Sequence, residues 1–265
     1  MYPNGKSDIA PFRLAGNIYF IGSRAVSVHL IDTGEGLILI DTGYPYMKEQ
    51  ILTSTKELGF DPADIRILLH SHGHYDHIGC TMDLKAISGA KTYITRIDNE
   101  IVNGKRPLSW AEELGFEELA PFECDVLLED GDKVELGNTS ILCKLAPGHT
   151  EGTLVLIFET EIDGRRLTAA MHGGVGTNSM EAWFLDKYNL PYELREIFRN
   201  DLHRFAEIPV DIVLGNHPDQ NDTEGKLARI LAGEKDAGID PGEWKRFMKA
   251  CEDRLDRLIA SEADK

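Results

Sequence analysis

Ile65-Arg66-Ile67-Leu68-Leu69-His70-Ser71-His72-Gly73-His74-Tyr75-Asp76-His77 is the stretch whose reading decides the fold. Its first five residues form an apolar run that reads as a buried strand. Its last six place three of the chain's nine histidines beside a carboxylate. A strand tip that opens into imidazoles and a carboxylate carries the donor set of a first-row metal site. Side chains at i, i+2 and i+4 of an extended segment share one side. The spacing therefore predicts that His72, His74 and Asp76 converge while His77 points elsewhere. Ligands aimed in two directions suit two neighbouring metal ions better than one. On a helix, i and i+2 would diverge, which excludes the helical H-E-x-x-H arrangement. The alternative is a His-rich solvated loop, but such loops rarely follow so apolar a strand, and buried imidazoles need partners.

Outward from this motif, the first half alternates strands with helices. Asn17 to Ile21, Val26 to Ile31 and Leu37 to Ile40 read as strands, with Gly34-Glu35-Gly36 as a turn. Tyr46 to Leu58 reads as a helix closed by Gly59. A helix is expected to begin near Ile78 and end near Gly89, followed by a strand over Lys91 to Thr95. Residues 98 to 121 are a polar excursion with a short helical piece, read either as a solvated surface helix or as a segment shaping substrate entry. The second half is richer in strands: Val126 to Leu128, Lys133 to Leu136, Ser140 to Leu145, and a hairpin of Thr153 to Phe158 with Arg165 to Met171 around Asp163-Gly164. Pro191 to Ile208 reads as a long helix and Asp211 to Leu214 as a strand. Trp244, Phe247, Met248, Cys251, Leu255, Leu258 and Ile259 mark an amphipathic helix packed on the body.

A chain of 265 residues can bury a sizeable core without staples, and it is read as one α/β domain, 1–265. No segment approaches the roughly 20 apolar residues that span a membrane. Met1 to Asp8 lack the basic start and apolar stretch of a secretory signal. The expected compartment is the cytoplasm, or the periplasm or exterior if a signal has been trimmed. Cys80, Cys124, Cys143 and Cys251 form no C-x-x-C pair and read as buried free thiols. A net charge of −17 opposes binding to nucleic acid or anionic lipid.

Two further histidines follow strands. His149 sits in Leu145-Ala146-Pro147-Gly148-His149-Thr150, and His217 in Leu214-Gly215-Asn216-His217-Pro218. With the first cluster they supply six ligands, enough for two three-ligand sites, each with a position left for water or substrate. Together with Ile40-Asp41-Thr42-Gly43, and with Gly59-Phe60-Asp61-Pro62-Ala63-Asp64-Ile65 leading into the motif, these residues resemble the metallo-β-lactamase superfamily, and within it the B-three subclass. The resemblance implies a four-layer αββα sandwich of two mixed sheets flanked by helices. It implies a first metal held by His72, His74 and His149, and a second held by Asp76, His77 and His217. It implies that Asp41 supports the ligand loops. The metal is expected to be zinc, two ions, with iron or manganese as lesser alternatives.

The chain departs from its relatives where many superfamily hydrolases carry an Asp bridging both metals and B-three enzymes carry nearby serines. It reads Met171-His172-Gly173-Gly174-Val175-Gly176. His172 is therefore expected to face the site as a donor or rim residue with a part in catalysis; a direct ligand role and a purely structural one are the alternatives. The glycines are expected to leave space for substrate or a mobile loop. His70 is assigned a structural hydrogen bond, and His29 and His203 no role. Trp183 and Phe184 read as a hydrophobic wall or as core. The expected chemistry is hydrolysis by a metal-activated hydroxide, with Asp76 binding the second ion and orienting the nucleophile. A β-lactam is the first substrate considered. A lactone, thioester or phosphodiester on the same site is the alternative, and a metal-binding or sensor protein without turnover is the rival of another class. No nucleic-acid or membrane partner is expected.

Overall fold

The computed structural model describes residues 8–263. The residues on which the absence of a signal was read lie almost wholly outside them. The chain runs through β1 (Phe12–Ala15), β2 (Ile18–Phe20), β3 (His29–Asp32), β4 (Leu37–Ile40), α1 (Lys48–Glu57), β5 (Ile65–Leu69), α2 (Tyr75–Ile78), α3 (Thr81–Ser88), β6 (Lys91–Thr95), α4 (Arg96–Val102), α5 (Ala111–Leu114) and β7 (Val126–Leu128). It continues through β8 (Lys133–Leu136), β9 (Thr139–Leu145), β10 (Leu154–Ile162), β11 (Arg165–His172), α6 (Ala182–Tyr188), α7 (Leu194–Ala206), β12 (Ile212–Gly215), α8 (Thr223–Leu231) and α9 (Glu243–Ala263).

The strands form two mixed sheets. The first has the order β1-β2-β3-β4-β5-β6-β7, antiparallel as far as β4 and parallel from β4 to β7. The second has the order β12-β11-β10-β9-β8, with only the β11–β12 pair parallel. Period-two alternation explains the layers. In β4, Ile38 and Ile40 face the other sheet, while Leu37 and Leu39 pack with Met47, Ile51 and Leu84 under α1 and α3. In β10, Leu154, Leu156 and Phe158 fill the space between the sheets, while Val155 faces α7 and α9 with Phe198, Trp244 and Leu255. Strands buried on both faces read as continuous apolar runs, which is why β4 and β5 were legible. The result is helices, sheet, sheet, helices, the expected four-layer α/β sandwich.

Asp163 and Gly164 both have positive φ, 51° and 74°, as a two-residue hairpin requires. All four cysteines are free and buried. No described helix is long and apolar enough to cross a membrane. The strand expected to begin at Val26 starts at His29, and β1, α6 and α8 were not anticipated.

Candidate metal centre

Three strands deliver the histidines to one end of the sandwich. His72 and His74 follow β5 of the first sheet, while His149 and His217 follow β9 and β12 of the second. The expected extended geometry stops at His74. That residue is still extended (φ −76°, ψ 151°), but α2 begins at Tyr75. A helical turn places neighbours 76 and 77 differently from a strand, so Asp76 leaves the His72–His74 side. His77, expected to point elsewhere, comes within 4.2 Å of the His72 ring, centroid to centroid. Two groups result, His72 with His74 and His149, and Asp76 with His77 and His217, each with its potential ligand atoms within 4.8 Å of one another.

Hydrogen bonds fix which nitrogen looks inward for His72, His77, His149 and His217. His77 Nδ1 lies 2.8 Å from Asp41 Oδ2, His149 Nδ1 2.8 Å from the Gly176 carbonyl and His217 Nδ1 2.8 Å from the Ala25 carbonyl. Those oxygens only accept, so each Nδ1 carries the proton and each Nε2 keeps a lone pair. For His72 the partner is Ser71 Oγ at 3.1 Å, and that hydroxyl itself donates to Asp41 Oδ2 at 2.7 Å. The Nε2 atoms of His72 and His77 are buried without any hydrogen-bond partner. Nε2 of His77 and of His217 lie 3.4 and 3.5 Å from Asp76 Oδ2. An edge of about 3.4 Å is what a tetrahedral ion with bonds near 2.1 Å demands. Orphaned inward lone pairs at this spacing fit a metal pair.

Electrostatics agree. Burial, then the neighbouring imidazoles, hold His72 and His74 well below the ordinary histidine pKa, and His149 falls to about 4, chiefly by burial. His217 is lowered mainly by burial and His77. These rings are neutral at pH 7 and able to ligate. His77 is the exception: burial opposes its charge, but Asp76 and Asp41 outweigh burial and raise it.

Two buried carboxylates hold the loops. Asp41, in the left-handed conformation at φ 61° after β4, accepts from Ser71 N at 2.8 Å and Ser71 Oγ as well as from His77, as expected of a residue supporting the ligand loops. Asp98, unremarked in the polar excursion, accepts from Gly73 N at 2.8 Å, Thr150 Oγ1 at 2.6 Å and Gly152 N at 2.9 Å. It thus ties the loop of His72 and His74 to that of His149. A Cβ on Gly152 would lie 2.3 Å from both Asp98 Oδ1 and Thr95 Oγ1, so this junction admits only glycine.

His172 does not face the cleft, which corrects that expectation. It is fully buried with its ring 6.0 Å from that of Phe198 and 6.3 Å from that of Phe205, and burial lowers its pKa to about 3. The β11 register carries it to the helix-covered face of the sheet, opposite the core-facing Met171. Of the glycines that follow, Gly173 and Gly174 make room for protein, since a Cβ on Gly174 would lie 2.5 Å from His149 Cδ2 and one on Gly173 2.6 Å from Ser71 Cβ, while Gly176 lines the cleft. His70 takes a structural bond to Thr81 Oγ1 at 3.2 Å. Phe184 is buried and stacked at 5.0 Å on Trp110, and Trp183 is exposed.

The cleft over the two groups encloses about 310 Å³. His74, Asp76, His149 and His217 form its floor; Tyr44, Trp110 and Leu114 give it an apolar wall, and Asn178, Asn216, Asp219, Gln220 and Arg254 a polar one. The loops after Gly43, around Trp110 and after Gly176 thus contribute to it. Arg254 comes from α9 and had no sequence signal, being one charge on the polar face of an amphipathic helix.

The family model of the metallo-β-lactamase superfamily matches residues 21–161. Among solved structures, the chain is similar to BJP-1, a subclass B3 metallo-β-lactamase of Bradyrhizobium japonicum, at 25% identity and a TM-score of 0.84 over 99% of this chain and 98% of that one. It is also similar to the native FEZ-1 metallo-β-lactamase of Legionella gormanii, at 26% identity and a TM-score of 0.87 over 98% and 99%. Among curated relatives, an N-acyl homoserine lactonase of Bacillus cereus is 27% identical over 159 residues, 51% of this chain and 59% of the lactonase. Matched across more than half its length by the family model and end to end by these folds, the chain belongs to the metallo-β-lactamase superfamily.

Proposed function

We propose that this protein is a dinuclear zinc hydrolase of small carbonyl substrates, with β-lactams the first to test. The observation that carries the reading is the pair of three-ligand groups, buried except for half-buried His217, in which Nε2 of His72 and of His77 has no hydrogen-bond partner. His72, His74 and His149 would hold one ion, and Asp76, His77 and His217 the other. Mostly imidazole ligation favours zinc over iron or manganese. Such ions supply Lewis acidity and lower the pKa of water from 15.7 to about 7.

The chain's own residues do the rest. Asp41 and Ser71 keep the Nδ1 protons of His77 and His72 outward-bonded, so in the neutral rings the free lone pair is on Nε2. Asp98 fixes the distance between the loops of the first group. Asp76, buried at the cleft floor, has a second carboxylate oxygen to accept a hydrogen bond from the attacking water and hold it toward the substrate carbonyl. Tyr44, Trp110 and Leu114 shield that carbonyl from bulk solvent on one side.

Similarity to a lactonase favours lactones as the second reading. Against it, β11 ends in His172, followed by Gly173, where a metal-bridging carboxylate would stand. The test is a panel of penicillins, cephalosporins, carbapenems, lactones, thioesters and phosphodiesters, assayed with full zinc occupancy and after chelation. Hydrolysis of a lactam that chelation abolishes is the expected result. Turnover confined to another class would reassign the substrate, and no turnover of any class would leave a metal-binding protein.

A further inference from the structure

The charges around the cleft are uneven. The chain carries 45 acidic and 28 basic side chains, and arginines near its surface readily find carboxylates. Arg24, Arg195, Arg199 and Arg246 each close on one within 2.7 Å. Arg254 lines the metal cleft, is exposed, and has no carboxylate within 4.0 Å among the described residues. Its backbone is nonetheless fixed. Its neighbours Cys251 and Leu255 are buried in the core beneath α9, which fixes the helix and the direction from which the arginine reaches the cleft.

We propose that Arg254 is the substrate anchor of this cleft and that the substrate is a carboxylate with an apolar body. A guanidinium presents a planar fork of donors that matches a carboxylate bidentately. Leaving it unpaired in so acidic a protein keeps that fork available. The amides of Asn178 and Gln220 share the polar wall and can complete the hydrogen bonding of an anion. Asp219 is the other charged side chain of that wall and repels an anion, so Arg254 is the group of the wall whose charge attracts a carboxylate. Tyr44, Trp110 and Leu114 receive the apolar part, with Trp110 held flat against buried Phe184. A cleft of about 310 Å³ limits the ligand to a small molecule. This specificity rests on the hydrolase reading of the same cleft, but its test does not depend on turnover.

The test is calorimetric binding to metal-loaded protein of three inert probes: 4-phenylbutyrate, its neutral amide, and 3-phenylpropylphosphonate. The comparison is between the wild type and the variants Arg254→Ala and Arg254→Lys, each checked for an unchanged melting temperature. Any attraction of the carboxylate to the metal ions is common to all three proteins and cancels. The expected result is a loss of tenfold or more in 4-phenylbutyrate affinity in Arg254→Ala, partial recovery in Arg254→Lys, and an unchanged amide affinity. The loss should shrink in high salt. Equal 4-phenylbutyrate affinity in Arg254→Ala and wild type would overturn the anchor. A larger loss for the phosphonate than for the carboxylate would overturn the carboxylate assignment.

Discussion

At the residue scale, the site is organised by two buried acids that are not ligands of the first group. Asp41 orients His77 and, through Ser71, His72; Asp98 joins the two loops that deliver His72, His74 and His149. Removing such an orienting partner lowers metal affinity about 10–100-fold. Asp98→Ala is expected to weaken the first ion selectively, so that titration with cobalt gives one tight and one weakened site. Two unaltered sites would contradict the role. His172 makes a different prediction. Below its ordinary pKa of 6.5 the unfolded chain takes up a proton that the folded chain refuses until about 3. Stability is therefore complete above pH 6.5 and falls as the pH drops, at about 1.4 kcal/mol per unit for one proton. Urea titrations of His172→Phe at pH 7 and pH 5 should show a smaller acid loss than the wild type. The six candidate ligands and Asp41 were legible because each sits in a short local motif. Asp98 and Arg254 were not, because their meaning depends on which distant loops they meet. His172 misled because it stands where relatives carry functional residues, and only the strand register shows that it faces the other way.

At the element scale, apolar runs revealed β4 and β5, and Gly89 at φ 71° closed α3 where expected. What failed was the boundary inside the motif. Treating Tyr75 to His77 as extended predicted that Asp76 joins His72 and His74, whereas the turn of α2 hands Asp76 and His77 together to the second group. β1 is only four residues long, and α8, though amphipathic, has only nine residues, opens on Thr223-Glu224-Gly225 and buries Thr223 and Lys226, so neither was read from the sequence. Lys226 is nearly inaccessible. Its Nζ donates to both Glu243 oxygens at 2.9 and 2.8 Å and to the Val213 carbonyl at 3.3 Å, joining α8, α9 and β12 beneath the His217 loop. Lys226→Met alone is expected to cost about 3–5 kcal/mol by stranding Glu243, and adding Glu243→Leu should restore most of it. Thermal unfolding of the single and double variants checks this. A double variant no more stable than the single one would show that the pair is not the unit.

At the scale of the whole molecule, the two sheets of the sandwich share the work of the site. The first provides His72, His74, Asp76 and His77, the second His149 and His217, and neither sheet alone completes either group. Metal binding should therefore hold the sheets together at this end, and chelation should lower the melting temperature as well as abolish hydrolysis. An unchanged melting temperature after complete metal removal would contradict that coupling. The most direct measurement is elemental analysis of protein saturated with zinc and dialysed, for the wild type, His149→Ala and His217→Ala. Two zinc ions per wild-type chain and about one in each variant are predicted; one or none in the wild type, or two in both variants, would contradict the paired centre.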